Sequence, residues 1–187
     1  MLDVLVDGTS VGAVTSYSFA NIQSNHSIAA TFAINTYTLT YTAGSYGSVT
    51  GGSSQVVNWS TDGATVTAVP DPGYHFTSWS DGNSNPIRTD TTVTANISVT
   101  ARFAINTVTI TATAGSNGSV TPSGATTEGY GDTQEVVITP NSGYHVLDVL
   151  VDGTSVGAVT SYLFSSITTS HTLAATFAIN TLSLIHI

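Results

Sequence analysis

The clearest candidate for chemistry is the polar loop at residues 81–85, which reads D-G-N-S-N. Asp81, Asn83 and Asn85 place oxygen-bearing side chains at alternate positions, as calcium-binding loops do at their start. Calcium takes roughly six to eight oxygen ligands, usually including a glutamate at the last loop position. That position is Thr92 here. We therefore predict a polar hairpin loop without a metal, and a weak calcium site is the alternative.

The histidines recur in pairs. His75 matches His145, and His26 matches His171 in otherwise similar segments. A zinc site needs about three or four converging ligands. A single repeat offers at most two histidines, and the chain has no cysteine. We predict that these histidines lie on strand surfaces and bind no metal.

Aromatic rings are the other candidates, because stacking on flat rings lets an uncharged surface bind a sugar. The candidates are Trp59, Trp79, Tyr37, Tyr41 and Tyr74. Trp79 and Tyr74 occupy positions that indicate a core. Only Trp59, in the variable segment 55–60, is expected to be exposed, so it is the one ligand-binding candidate.

Catalysis has little support in the sequence. No G-x-S-x-G nucleophile turn occurs. Most acidic residues lie in Asp-Gly turns, where local hydrogen bonding accounts for them. The carboxylates Glu128 and Asp132 belong to a loop found only near the end of the chain. We expect no enzymatic activity and no cofactor.

Composition excludes several classes of protein. Charged residues make up 7% of the 187 residues, and 2 basic against 11 acidic residues give a net charge of −9. Binding to nucleic acid depends largely on Lys and Arg, so this balance argues against it. The longest apolar runs are far shorter than the roughly 18 residues that span a bilayer. We expect neither a nucleic-acid partner nor a membrane span in this segment.

Internal repeats organise the chain. Residues 1–36 align with residues 146–181 at a constant offset of 145, and 27 of the 36 positions are identical. The sequence FAINT occurs three times and ends at Thr36, Thr107 and Thr181. The repeats divide the chain into a truncated repeat, 1–35, and two full repeats, 36–106 and 107–181.

Both ends fall inside the repeat pattern. Met1 aligns with Val146, so residues 1–35 correspond to the second half of a repeat. We expect their apolar face to be partly uncovered and this half-repeat to be less ordered than residues 36–181. The last six residues, Leu182–Ile187, resemble the translation of a sequencing adapter, and the alternative is the first strand of another repeat.

Apolar residues alternate with threonines, which predicts strands with one buried face. Asp-Gly pairs mark hairpin turns. The sequence therefore predicts an all-β fold of small antiparallel modules with about five or six strands each. Further strands are predicted at 64–69, 135–139, 75–79, 145–151, 158–164, 91–95 and 172–178. The predicted core residues are Tyr74, Phe76, Trp79 and Phe103, then Tyr144, Val149, Phe164 and Phe177.

The order of motifs is more specific than the composition. Each full repeat reads as a threonine-rich strand, A-G-S-x-G-S-V-T, a variable loop, V-x-x-x-P-x-x-G-Y-H-[FV], a strand ending in Asp-Gly, and a last strand that contains [TR]-F. This order resembles the divergent internalin B-type repeats of bacterial surface and secreted proteins. The resemblance covers residues 1–181 and is strongest in the middle repeat, which has Gly73, Tyr74, Phe76, Trp79, Ser80 and Gly82.

The resemblance implies small modules, β-grasp-related or sandwich-like, in an elongated array at the cell surface or outside the cell. It also implies a non-enzymatic spacer or adhesive role, with the neighbouring repeats of the same chain as partners. One alternative is a module that binds a glycan or a host surface protein through loops 52–62, 81–91 and 122–133. Another is an accessory module of a secreted hydrolase.

Overall fold

The structure is a computed structural model, and it describes residues 1–181. These residues form eighteen strands in five small sheets and contain no helix. The predicted all-β fold with tandem modules is confirmed. The prediction for Leu182–Ile187 lies outside the described residues.

The half-repeat forms one three-stranded sheet with the order β2-β1-β3. Its strands are β1 (Asp3–Val6), β2 (Thr9–Ser10) and β3 (Ile28–Thr31). Val4 and Val6 of β1 are buried, whereas every residue of β3 is exposed. Ile28, Phe32 and Ile34 are 55%, 74% and 57% exposed. The predicted uncovering of this apolar face is confirmed.

The middle repeat contains seven strands in two sheets with the orders β6-β4-β10-β8 and β5-β7-β9. The strands are β4 (Thr36–Ala43), β5 (Gly47–Thr50), β6 (Ser54–Asn58), β7 (Val66–Pro70), β8 (Tyr74–Trp79), β9 (Ile87–Arg88) and β10 (Ile97–Ile105).

The strand predicted at 91–95 is wrong. Val93 is buried as the alternation implied, but its backbone bonds to a turn. Its N–H donates to the Thr61 carbonyl and its carbonyl accepts the N–H of Ser60. These bonds occupy the groups that a strand would use for its ladder. The strand in this part of the repeat is the two-residue β9.

The last repeat contains eight strands in two sheets with the orders β13-β11-β18-β15-β16 and β12-β14-β17. The strands are β11 (Thr107–Ala114), β12 (Gly118–Thr121), β13 (Gly124–Gly129), β14 (Gln134–Pro140), β15 (Tyr144–Val151), β16 (Thr154–Ser155), β17 (Ser161–Phe164) and β18 (His171–Ile179). Strands β11 and β18 pair in parallel, which the sequence analysis, with its antiparallel modules, did not predict.

Strand register shows which residues of the two full repeats are equivalent. Trp79 lies opposite Ala101 and Val149 lies opposite Ala175, and both of these pairs are buried. Each repeat has a register irregularity just before this pair. A β-bulge in the same place in both repeats is a feature of the fold and not a defect.

The core of the last repeat is a single apolar cluster that includes Ile110, Ile138, Val149, Phe164 and Leu173. Of the predicted core residues, Trp79, Val149 and Phe164 are buried, and the other five are half-buried. The half-buried members are all aromatic, and Tyr74 and Tyr144 are the first residues of β8 and β15. Alternation identified their face correctly but not how deeply each one is buried.

The chain divides into two compact units. The first contains residues 1–42, 49–67 and 87–100. The second contains residues 43–48 and 68–86 together with the chain from Ala101 onward. The division passes through the middle repeat, so compact units and sequence repeats do not coincide.

Candidate functional site

The calcium candidate is a hydrogen-bonded turn. The side chain of Asp81 accepts the N–H of Asn83 at 3.3 Å, and the side chain of Asn83 accepts the N–H of Asn85 at 2.9 Å. Such bonds are a common use of Asp and Asn in turns. Among residues 1–181, no three His, Asp or Glu side chains come close enough together to hold a metal ion. The prediction of a loop without a metal, with a weak calcium site as the alternative, stays untested.

The same loop supports the largest buried side chain of the middle repeat. The indole Nε1–H of Trp79 donates to the Asn85 carbonyl at 3.0 Å, and the Trp79 N–H donates to the Asn83 carbonyl at 2.7 Å. Trp79 is fully buried, and a buried indole N–H needs an acceptor. The loop therefore has a structural role without any ligand.

The histidines of the G-Y-H motifs each contact the asparagine of the FAINT sequence. His75 Nδ1 lies 2.8 Å from Asn106 Oδ1, and His145 Nδ1 lies 2.9 Å from Asn180 Oδ1. The structure thus brings each of these histidines to the end of its own repeat. The sequence alone did not predict this pairing.

The other two histidines each pair with an Asp-Gly turn. His26 Nδ1 lies 2.7 Å from Asp7, and His171 Nδ1 lies 2.7 Å from Asp152. The hydrogen bond to His171, and next the N–H of Thr172, holds the pKa of Asp152 below its usual range. The pKa of Asp7 is lowered for the equivalent reasons. These pairs close the same hairpin in two repeats.

One of these pairs has a hydroxyl nearby. Thr169 Oγ1 lies 3.5 Å from Nε2 of His171, so threonine, histidine and Asp152 follow in the order of a catalytic triad. The Thr–His distance is at the limit of a hydrogen bond, and the group lies on the surface. Asp152 has φ 49° and its carboxylate also accepts the N–H of Thr172. These features fit a closed hairpin better than an active site.

The five aromatic candidates do not form one platform. Tyr41 and Trp79 are buried, whereas Trp59 is 53% exposed. Within residues 1–181, no other ring stacks on Trp59. Tyr74 instead stacks on Tyr46, with ring centroids 4.3 Å apart and an angle of 4° between the planes. Tyr46 is 56% exposed, and the sequence analysis did not identify it as a candidate.

The three segments proposed as contact loops contain strands. The range 52–62 includes β6, 81–91 includes β9, and 122–133 includes β13. Their variability between repeats therefore lies partly in sheet-forming residues.

A buried polar cluster in the middle repeat was missed from the sequence. Arg88 donates to both carboxylate oxygens of Asp90, at 2.8 and 2.7 Å, and is 8% exposed. The hydroxyl of Tyr41 donates to Asp90 at 2.6 Å. Burial, and then the hydrogen bond to Asp90, raises the pKa of Tyr41 well above its usual value. A bidentate Arg–carboxylate pair is a strong, directional interaction.

The last repeat fills the same positions with apolar groups. Val66 pairs with Arg88, and the equivalent Val136 pairs with Tyr162, so Tyr162 replaces Arg88. Two residues further along the chain, Phe164 therefore replaces Asp90. Ala112 replaces Tyr41, and both Ala112 and Phe164 belong to the buried core. The large Tyr41 of the middle repeat thus corresponds to a small alanine in the last repeat. The smaller Asp90 corresponds to a large phenylalanine. Two chemistries fill the same site, which argues that the cluster serves packing.

Backbone hydrogen bonds around Asn106 hold the junction between the two full repeats. Asn106 donates its N–H to the Gly73 carbonyl at 2.8 Å, and its own carbonyl accepts the N–H of Tyr130 at 2.9 Å. The Tyr130 ring lies against Gly73, where an added β-carbon would overlap it. A β-carbon on Gly129 would lie 3.1 Å from Cδ1 of Ile105. One asparagine therefore bonds to the repeats before and after it.

The described residues thus form a protein built from small tandem all-β repeats. Residues 37–107 and 108–181 each match the divergent InlB B-repeat domain, and the chain belongs to this family. Tandem domains of this kind fit a repeat segment of a surface protein. No curated protein and no solved structure matches the chain. In the part of the chain that is described, no helix is long and apolar enough to cross a membrane.

Proposed function

We propose that this chain is a non-enzymatic spacer segment of a bacterial protein, secreted or held at the cell surface, and that its repeats position other domains. The observation that carries the proposal is the use of its polar side chains. Its polar residues contact their own repeat or the junction, among them Trp79, Asp90, His75 and Asn106.

The Asn106 junction supports a spacer because it restricts movement between repeats. Its N–H, side chain and carbonyl all have partners, and they lie on both sides of the connection. The connecting residues contain neither Gly nor Pro. A short, hydrogen-bonded connection limits hinge motion far more than a flexible linker does.

A location outside the cell fits the family and the composition. A net charge of −9 with no lysine favours solubility and discourages self-association. An adhesive role, and an accessory role beside a hydrolase, are variants of this proposal that depend on the neighbouring domains.

A distance measurement tests the spacer role. The chain has no cysteine, so spin labels can be placed at Thr77→Cys and Leu163→Cys alone. Both residues are exposed strand residues, one in each full repeat. We expect one narrow distance distribution, and a short glycine insertion after Asn106 should broaden it. An equally broad distribution with and without the insertion would contradict a spacer.

The Tyr46–Tyr74 stack favours carbohydrate binding as a second candidate function. The exposed ring of Tyr46, held flat against half-buried Tyr74, is a surface on which a sugar can stack. The equivalent of Tyr46 in the last repeat is Asn117, and both have a positive φ, 70° and 75°. Tyr46→Asn should therefore keep the backbone conformation and remove the ring completely. Glycan binding that the substitution abolishes would support this function, and no binding by the unmodified chain would exclude it.

A further inference from the structure

The Tyr130 side of the junction has a close counterpart around Trp59. The N–H of Trp59 donates to the Asn35 carbonyl at 2.8 Å, as that of Tyr130 donates to Asn106. The next residue, Ser60, donates to the carbonyl of Val93 at 2.7 Å. In the last repeat Gly131 donates to Ile167, also at 2.7 Å. Trp59 and Tyr130 therefore occupy the same position.

The Gly73 side also has a counterpart, at the end of the last repeat. Gly73 and Gly143 both have φ 84°. The Gly143 carbonyl accepts the N–H of Asn180 at 2.8 Å, as that of Gly73 accepts Asn106. No atom of residues 1–181 would lie within 4 Å of a β-carbon added on Gly143. This turn therefore has the geometry of the junction, but no ring from the described part of the chain lies against it.

The two counterparts are complementary halves of one contact. Where both halves are present, the ring of Tyr130 covers the glycine turn and is 37% exposed. Trp59 is 53% exposed, and no such turn lies against it among the residues that the structure describes. Residue 1 aligns with Val146, so this sequence contains no equivalent of Gly143 before Trp59.

We propose that Trp59 is a docking surface for the Gly-Tyr-His turn of a complete repeat placed before it, such as Gly143–His145. In the docked state the glycine of the turn lies under the indole ring. The asparagine of the FAINT sequence bonds both to this glycine and to the backbone of Trp59. This proposal rests on the spacer function, since it specifies how one repeat joins the next. It also gives the exposure of Trp59 a cause other than a sugar ligand.

The direct test extends the chain with its own sequence. Residues 37–187 are joined after Thr181 of residues 1–181, so that the second Trp59 follows a complete repeat ending in Asn180 and Thr181. Trp59→Phe in the first part leaves the second Trp59 as the one exposed indole, because Trp79 is fully buried. Compared with the original chain, we expect emission from Trp59 at shorter wavelength and weaker quenching by acrylamide.

Gly143→Ala in the first part of the extended chain, directly before the second Trp59, provides the control. The new methyl group should displace the indole and restore the quenching seen in the original chain. Unchanged quenching in the extended chain, with protected amides in the added repeat, would overturn the proposal. A broad distribution of spin-label distances, with Trp59 still protected from quenching in the extended chain, would count against the spacer function alone.

A second variant keeps the test independent of how the extended chain folds. Tyr130→Trp, combined with Trp59→Phe, places an indole against Gly73 in the existing chain. We expect it to be quenched less than Trp59 is in the original protein, and Gly73→Ala should remove the difference. An introduced indole as accessible as Trp59 would contradict the proposal, because the glycine turn would then not accept tryptophan.

Discussion

The ring of Phe177 lies directly over Gly118, and a β-carbon on this glycine would overlap it. Phe103 covers Gly47 in the same way in the middle repeat. The half-repeat has the equivalent Phe32 without such a glycine, and Phe32 is 74% exposed. The A-G-S-x-G motif therefore supplies a flat backbone surface for the ring near the end of each repeat.

Gly118→Ala should destabilise the last repeat by about 1–3 kcal/mol, because the added methyl group overpacks against Phe177. Gly115→Ala in the same hairpin is the control. Its β-carbon would lie 3.4 Å from the Ala175 carbonyl oxygen, an ordinary contact. Urea unfolding of the two variants measures the difference. Equal stabilities would contradict the role given to Gly118.

The buried cluster of the middle repeat should respond unevenly to substitution. Asp90→Ala should cost about 3–5 kcal/mol, because it removes the carboxylate that accepts two bonds from buried Arg88. The triple change Tyr41→Ala, Arg88→Tyr and Asp90→Phe installs the residues of the last repeat. It should cost less than the single change, because apolar groups can replace a buried ion pair. Chemical unfolding followed by Trp79 emission measures both, and a triple variant less stable than Asp90→Ala would contradict the packing role.

The aspartate–histidine pairs predict a specific acid titration. Because the pKa of Asp152 is lowered in the folded state, its contribution to stability is present above the usual aspartate pKa. That contribution is lost as the pH falls through the folded value. His171→Gln should raise the pKa of Asp152 towards normal and leave that of Asp7 unchanged. Carbon-detected NMR titration measures both, and a shift at Asp7 or none at Asp152 would contradict the pairing.

Hydrogen exchange provides a comparison in which the chain is its own control. Residues 1–36 and 146–181 share 27 of 36 residues, so their intrinsic exchange rates are similar. The amides of β1 and β3 should exchange faster than those of β15 and β18. Strand β3 is exposed throughout, whereas β18 has its parallel neighbour β11 and buries Leu173 and Ala175. Equal protection in the two segments would contradict the incomplete core of the half-repeat.

Local patterns predicted most of the strands, because alternation and turn residues act over a few positions. Trp79, Val149 and Phe164 were correctly placed in the core for the same reason. The pairing of Asp90 with Tyr41 was not predictable, because register across strands brings these distant residues together. The short strand predicted at 91–95 failed because a turn, and not a neighbouring strand, bonds to Val93.

The candidate sites show the same limit. Residue type and spacing identified Asp81, Asn83 and Asn85 as oxygen donors, and the structure shows Asp81 and Asn83 accepting backbone N–H groups within the loop. The exposure of Trp59 was predicted correctly. Its equivalence to Tyr130 was hidden, because the surrounding residues differ and only the backbone bonds are shared.

Adjacent repeats are joined where Tyr130 covers Gly73, and a pair of matched substitutions tests this claim most directly. Gly73→Ala and Gly143→Ala both place a side chain at φ 84°, so they share a backbone cost of about 1–2 kcal/mol. Within residues 1–181, a ring lies in the way of the new methyl group at Gly73 and not at Gly143. We predict a larger loss of unfolding free energy for Gly73→Ala, together with a changed NMR signal for the Tyr130 ring. Equal losses with an unchanged Tyr130 signal would contradict the claim.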